Sequence, residues 1–490
     1  MAAGRGVSQV IQLATSIVLA RLLVPDDFGL IAMAVAIGGL ARAVGDFGVS
    51  ALVVQRESLE SGFVRAAFTL NLITFVGLAA VQIALAPLGG LVLSDKRVVG
   101  IIAVLALAVP LQGLASFFQA LLRRDLAFSR IAKLNLVAVV VTSFVACSLA
   151  LAGLGVWSLV AAQIAAAATM ALQAWSVNRI PVGLDLAAAR RWLPEILSFG
   201  KFATGNSVVN YLVQNMDYLL IGRLLPTAQL GFYYFAFEKS RLLSRRVLDL
   251  YSGLALPVFS RLSHDTERVR RAYQTATVAA LFLIAPMVSY LAFHARLVIP
   301  LVFGEQWLPS VIVFQILSIH VIVNAVTSGI GSVLYAVGRP DISFKIVRWI
   351  VLPLGLAYFA GARLAGIVGV ALAVAVVKSL FSLIKLGVCF RFLHWKWIPT
   401  LRPALAVIVG AIVAGLCSLR SMRLIPSASD WVGLLFGAVS YCLVFGLLQT
   451  TVNRSGLTLV WRGVLGSGGL EWCRSTLPTV LRSVLAIPDA

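Results

Sequence analysis

Charge is what this chain has least of. Only 12% of its 490 residues are charged, against 60% that are hydrophobic, and its mean hydropathy is +0.97. A water-soluble domain carries about twice that charged fraction, so a soluble fold is excluded. Acid is scarcer still, with 19 Asp and Glu against 40 Lys and Arg. The 4 histidines and 5 cysteines are scattered, with no CxxC pair and no Cys beside a His. No metal site and no cofactor is expected from them, and the cysteines read as small apolar residues inside helices. Long polar stretches are missing too, and no connection is long enough to fold as a catalytic domain. The first apolar run continues to Leu23 without a small-residue cleavage site, so it reads as a retained helix rather than a signal peptide.

What the chain does have is one apolar run after another. Runs long enough to cross a bilayer recur from end to end, without the short alternating strands of a transmembrane barrel. The expected fold is an all-α polytopic membrane protein with about fourteen transmembrane helices. They fall near 7–23, 29–53, 65–88, 98–120, 131–152 and 154–177, then 200–222, 230–257, 272–293, 308–336, 343–361 and 365–388. An extra pair lies at 402–420 and 430–449.

One phrase occurs twice. LARLLVPDDFG, Leu19 to Gly29, is matched by IGRLLPTAQLG, Ile221 to Gly231, and each copy closes one apolar run and opens the next. Asp125-x-x-Phe128 is echoed by Asp341-x-x-Phe344, and Gly155-Val156 by Gly369-Val370. The chain therefore reads as two halves of about six helices, an even number, which enter the membrane in the same sense as parallel repeats do. The expected plan is an N-terminal six-helix lobe over 1–177, a cytoplasmic linker over 178–199 and a second six-helix lobe over 200–390. The extra helix pair covers 400–450, and a cytoplasmic tail covers 451–490.

The net charge of +21 is not gathered into a soluble nucleic-acid-binding module. Basic residues sit mainly in alternate short connections, among them Arg123-Arg124, Arg190-Arg191 and Arg270-Arg271. The bias is about threefold and places both termini in the cytoplasm.

Ionisable groups inside apolar helices are expensive and usually face a cavity or one another. The second helix carries Arg42 and Asp46 at i,i+4, and the eighth carries Arg245 and Asp249 at the same spacing. Glu238, Arg241, Arg245 and Asp249 share one stripe, with Lys239 and Arg246 nearby. Two readings stand side by side. The segment 238–249 is either an interfacial amphipathic helix with mutually paired charges, or the wall of a water-filled, net-positive cavity between the lobes. The seventh helix adds Asn206, Asn210, Gln214 and Asp217 along one face, and the tenth adds His320, Asn324 and Ser328. Each alone is explained by interhelical hydrogen bonding; together they point to a polar lining. Amides suit sugar hydroxyls, and guanidinium groups suit phosphate. Lys378, in the twelfth helix, is either a further lining cation or a snorkelling lysine.

LARLL-x-P-x-x-FG followed by GDFGVSALVVQRE, Gly45 to Glu57, resembles the opening of the polysaccharide flippases. These belong to the multidrug, oligosaccharidyl-lipid and polysaccharide exporter superfamily, and the branch most like this chain is the colanic-acid and xanthan exporter type. The resemblance is densest over residues 1–140. It implies a non-enzymatic flippase of the bacterial inner membrane that serves exopolysaccharide, capsule or O-antigen biosynthesis. Its cargo would be an undecaprenyl-diphosphate-linked oligosaccharide, moved by alternating access through a cationic central cavity. Carried over, Arg42, Arg241, Arg245 and Arg246 become candidates for the diphosphate or for acidic sugars. Implied partners are membrane lipids, the polysaccharide polymerase and export machinery, and a coupling H+ or Na+ at Asp46, Asp217, Glu238 or Asp249, but no nucleic acid. Two departures stand out: the very short lead before Gly4, which points to a trimmed start, and a second turn that lacks the Asp26-Asp27 pair.

Rivals differ in what they require. A polymerase, ligase or membrane glycosyltransferase needs a sizeable outside loop with catalytic acids or arginines. An antiporter for cationic drugs needs an acidic, aromatic-lined cavity, whereas this lining is net positive. A peptidoglycan-precursor flippase shares the architecture and is the alternative within the superfamily.

Overall fold

The computed structural model describes residues 2–45, 48–56, 59–93, 95–125, 127–177, 183–423 and 430–459, and among them there are helices but no strand. In chain order, α1 (Ala2–Leu22), α2 (Pro25–Gly45), α3 (Val49–Gln55), α4 (Ser61–Val92), α5 (Val98–Leu105), α6 (Ala108–Arg124), α7 (Phe128–Leu151) and α8 (Val156–Val177) form the first half. There follow α9 (Leu186–Leu224), α10 (Thr227–Leu262), α11 (Thr266–Phe293), α12 (Ala295–Phe303), α13 (Val311–Thr327), α14 (Ile330–Ala336), α15 (Pro340–Ala373), α16 (Ser379–Phe392), α17 (Trp397–Met422) and α18 (Asp430–Thr451).

Among the described residues, 10 helical stretches are long and apolar enough to cross a membrane, so this is a multi-pass membrane protein. One of them, 341–392, takes in two predicted helices, with a break at Ala365 and Gly366. The predicted seventh and eighth helices, α9 and α10, are absent from that set because their amide, hydroxyl and charged side chains lower their hydropathy. Within the predicted linker the chain is helix from Leu186 onward, continuous with α9, and Asp185 caps it by accepting from the Ala188 N–H at 2.8 Å. The predicted second helix is interrupted: α3 starts afresh after Gly48, whose φ of 72° favours glycine.

Contacts divide the chain into two compact units. The first comprises 1–234 with 302–307 and 358–367; the second comprises 235–301, 308–357 and 368–490.

Within the first unit the repeated phrase meets its own copy. α2 opens with Pro25 at its first position and Asp26 and Asp27 in its first turn, which favours a helix start both sterically and electrostatically. A Cβ on Gly29 would strike the Thr227 carbonyl oxygen, and one on Gly231 would strike the Pro25 carbonyl oxygen. Pro25 and Thr227 hold the same place in the two copies, so the contact is reciprocal. The glycines let two backbones approach as no other residue allows. The same exchange extends outward. Gly155 lies against Asp27, whose Oδ1 accepts from the Val156 N–H at 3.0 Å, while Gly366 lies against Gln229, the residue that matches Asp27. Both of these glycines have positive φ, 52° and 56°. By contact, then, the partner of Gly155 is Gly366, three residues before the one the sequence echo picked out.

Loops tie this crossing down. Trp307 donates its indole N–H to the Ala20 carbonyl at 2.8 Å, and Gln306 donates to the carbonyls of Ala20 and Leu23. Between α4 and α5, Asp95 accepts from Arg97 and from the Thr227 hydroxyl, and Arg97 also reaches Asp26 at 3.3 Å. The Arg97 hydrogen bond holds the Asp95 carboxyl below its ordinary value of 3.8. A depressed carboxyl stabilises the fold above its ordinary value and loses that contribution as pH falls through the folded one. Thermal midpoints of the purified protein should therefore fall in that acid window, and Asp95→Asn should flatten the fall. The effect is under about 1 kcal/mol because Arg97 is exposed.

The family-like motif ends on a second anchor. Arg56 sits between the rings of Phe63 and Trp192, 4.2 and 4.5 Å from their centroids, and pairs with Glu195 at 3.1 Å. Arg124 donates to the carbonyls of Val53 and Arg56. The end of α3 is thereby fixed to the start of α9 over a core of Val53, Phe63, Phe117 and Leu121.

In the second unit, Tyr273, Phe390 and Trp395 centre the core, and the Tyr273 hydroxyl donates to the Val326 carbonyl at 2.7 Å. The extra helices belong here. α17 packs on α11 and α18, with His294 Nε2 2.9 Å from the Ser418 hydroxyl and that hydroxyl donating to the Gly437 carbonyl.

Candidate functional site

The predicted lining residues fall in both units, and each unit carries its own polar group. In the first, Arg42 is exposed in the last turn of α2 and borders a small cavity of about 20 Å³ with Gln82, Gln112 and Gln163. That is room for about one water. Gln82 donates to the Ile102 carbonyl at 2.9 Å, while its Oε1 and that of Gln112 are buried without a protein partner, so a water would satisfy both. Asp46 lies outside the described residues.

α9 crosses α2 at Gly39, beneath the Tyr211 ring, whose hydroxyl donates to the carbonyls of Val35 and Ala36 at 3.1 and 2.8 Å. Asn210 is half-buried and Gln214 exposed on this helix. One turn on, Asp217 is fully buried. Its Oδ2 accepts from the Tyr233 hydroxyl at 2.8 Å and its Oδ1 from the Tyr218 N–H at 3.1 Å. Tyr218, Tyr233 and Tyr358 are all buried around it. A carboxylate enclosed in this way within a membrane helix is costly unless it is matched by donors or by a cation.

The second unit holds the cations. On α10, Glu238, Lys239, Arg241 and Arg246 are half-buried, while Arg245 and Asp249 are exposed. The stripe of Glu238, Arg241, Arg245 and Asp249 is realised on one continuous helix. Arg241 and Lys378 share a ring: the guanidinium lies 5.1 Å and the ammonium 5.8 Å from the centroid of Phe237. His320 joins them, with Nδ1 3.0 Å from the Ser379 hydroxyl and Arg241 and Lys378 as its charged neighbours. Lys239 extends instead over Phe235, at 5.3 Å.

Lys378 is placed by a backbone irregularity. Residues Val374–Lys378 form a π-helical turn between α15 and α16, a feature that tends to mark functional positions because it rotates the following side chains. Lys385, on α16, is a further cation that sequence reasoning missed; its Nζ would lie 3.3 Å from a Cβ on Gly331. The i,i+7 spacing from Lys378 was the signal for it. Arg241 and Lys378 thus supply positive charge from two helices, with an aromatic floor and a hydroxyl. This set can hold an anion with several oxygens, and nothing in it resembles a nucleophile with its base. Among the described residues no cluster suits a metal ion.

Comparisons with known proteins agree with one another. The chain is 27% identical to the lipopolysaccharide biosynthesis protein WzxC of Escherichia coli (strain K12), covering 78% of this chain and 80% of that one. It is 24% identical to the succinoglycan biosynthesis transport protein ExoT of Rhizobium meliloti (strain 1021), covering 89% of each. Among solved structures, the lipid II flippase MurJ in an inward closed conformation shares the fold with a TM-score of 0.72 at 12% identity, over 91% of this chain and 98% of that one. An inward-facing multidrug resistance MATE family transporter does so at 0.65 and 14%, over 79% and 94%. The family described as polysaccharide biosynthesis protein matches residues 18–312, more than half of the chain. This protein therefore belongs to that family of polysaccharide biosynthesis proteins, and its kin are transporters rather than enzymes.

Proposed function

We propose that this protein flips an undecaprenyl-diphosphate-linked oligosaccharide repeat unit across the bacterial inner membrane for exopolysaccharide, capsule or O-antigen assembly. One observation carries the reading: Arg241 and Lys378 from separate helices converge on Phe237 inside a chain otherwise poor in charge. Cations kept within apolar helices are costly and are explained by an anionic passenger. Named relatives are a lipopolysaccharide biosynthesis protein and a succinoglycan biosynthesis transport protein.

In this mechanism 1–177 and 200–390 act as two lobes around a central cavity, with both termini cytoplasmic. Arg42 and the amides Asn210 and Gln214 present one wall. Arg241, Arg245, Arg246, Lys239 and Lys378 present the other, with Glu238 and Asp249 setting their positions. The diphosphate rides on the cations, the sugars on the amides, and the lipid stays in the bilayer. Release on the far side hands the repeat unit to the polymerase and export machinery.

Asp217 is the coupling group in this account. Among the described carboxylates of the set it is the buried one, and a proton or sodium ion there changes its bond to Tyr233. Asp217→Asn keeps an acceptor for the tyrosine but cannot titrate. It should still carry cargo down its own gradient while losing its response to an imposed proton or sodium gradient. An unchanged gradient response would remove Asp217 from the coupling role.

A deletion strain tests the function itself. Complete lipid-linked repeat units should accumulate in the cytoplasmic leaflet. Accumulation in the outer leaflet would instead mark a polymerisation defect and overturn the proposal.

A further inference from the structure

The π-helical turn at Val374–Lys378 holds one residue more than an α-helical turn would. Relative to the helix before it, every later residue is rotated by about 100°, a displacement of about 3.5 Å at the Cα. Lys378 closes the turn, so the turn decides which side of the helix its ammonium leaves from. Such turns are rare, and the residues packed against this one show what sustains it.

α13 packs on both the π-turn and α16. A serine within a helix commonly bonds the carbonyl three or four residues back, and Ser240, Ser244, Ser318 and Ser328 all do so. Ser379 differs. It is buried, and its hydroxyl lies 3.0 Å from His320 Nδ1 on α13. That bond ties the residue directly after Lys378 to a neighbouring helix. Packing seats the start of the turn, through buried Val374 and Ala375, and the His320 bond seats its end. The same imidazole has Arg241 and Lys378 as charged neighbours, and these two cations share the Phe237 ring.

Resting on the flippase reading above, we propose that His320 is a positioning residue. Its bond to Ser379 holds the π-turn, and the π-turn keeps Lys378 on the side of the helix that faces Phe237 and Arg241. One cation alone meets one phosphate group. Two cations brought to one ring meet both phosphate groups of a diphosphate, so their placement sets the preference for a diphosphate over a monophosphate head. His320 thus acts on the cargo through Lys378. A lysine on a flexible stem depends on such placement more than an arginine fork does, because its charge is a single mobile point.

The test uses the full chain in phospholipid nanodiscs, with undecaprenyl diphosphate and undecaprenyl monophosphate as probes. The wild-type protein should bind the diphosphate more tightly. His320→Leu should weaken diphosphate binding by about three- to tenfold, the size of one hydrogen bond, and leave monophosphate binding nearly unchanged. Ser379→Ala removes the same bond from its other end with a smaller change of shape and should reproduce the result. His320→Asn, whose amide takes the place of Nδ1, should recover most of the preference lost in His320→Leu. In a Lys378→Ala background His320→Leu should cost nothing more, because the two residues act as a unit. An unchanged preference in both His320→Leu and Ser379→Ala, or equal loss for both probes, overturns the positioning role. So does a further loss in the Lys378→Ala background, or a wild-type protein that binds the two probes equally. Failure of the wild-type protein to bind either probe overturns the underlying flippase reading instead.

Discussion

Arg241→Ala and Lys378→Ala should each lower transport of lipid-linked repeat units by about tenfold to a hundredfold at normal protein levels, and the double variant should abolish it. The size follows from the chemistry of the contact. A hydrogen bond to a charged group contributes about 1.5–3 kcal/mol, and about 1.4 kcal/mol is tenfold. Both cations lie against the Phe237 ring. Arg241→Lys should restore part of the loss, since charge is kept while the planar fork is not. Export in cells, measured alongside membrane abundance of the protein, distinguishes lost binding from lost protein. Undiminished export by the double variant would remove the cationic set from the mechanism.

The second large effect is expected far from the cations. Gly231→Leu places a side chain against the Pro25 carbonyl, and Gly29→Leu places one against the Thr227 carbonyl. Backbone cannot swing aside as a flexible side chain does, so the two helix starts must separate. Overpacking of this kind costs about 1–3 kcal/mol per site. In an alternating-access protein, where two states differ by only a few kcal/mol, that is enough to shift the balance toward the state in which these turns are apart. Either variant should lose most transport. Cysteines placed at Gln214 should become more reactive to an impermeant reagent added from the outside. Normal transport by Gly231→Leu would mean that the crossing is dispensable to the cycle.

Much of the architecture was legible because a membrane forces it to be. Apolar runs of bilayer length mark their own helices, and the repeated phrase gave the register that pairs Gly29 with Gly231. The use of that register was hidden: nothing in LARLLVPDDFG announces that its copy lies against it, because the signal is a missing side chain. Helix breaks were hidden for a similar reason. The break at Gly48 and the kink at Ala365–Gly366 depend on positive-φ glycines, which look like any other glycine within an apolar run. The π-helical turn at Val374–Lys378 leaves no mark in composition at all.

The candidate site was legible as chemistry and obscure as geometry. Arg241, Lys378 and Asp217 stood out because ionisable groups are rare in such helices. That Arg241 and Lys378 share one ring depends on packing between segments more than a hundred residues apart. The echo of Arg42-Asp46 by Arg245-Asp249 looked like one feature twice, yet Arg42 borders a small amide-lined cavity and Arg245 an exposed helix face. Similar spacing served different surroundings. Lys385 escaped notice because one lysine in an apolar helix reads as snorkelling until a second cation is found two turns away.

Purified protein in sealed vesicles bears most directly on the claim of flipping. With an undecaprenyl-diphosphate-linked oligosaccharide in the bilayer, an impermeant sugar-cleaving enzyme outside attacks only what the outer leaflet exposes. Vesicles with the wild-type protein should pass their inner-leaflet pool to that enzyme, and vesicles with the Arg241→Ala, Lys378→Ala protein should not. Exposure no faster with the wild-type protein than in protein-free vesicles would contradict the account.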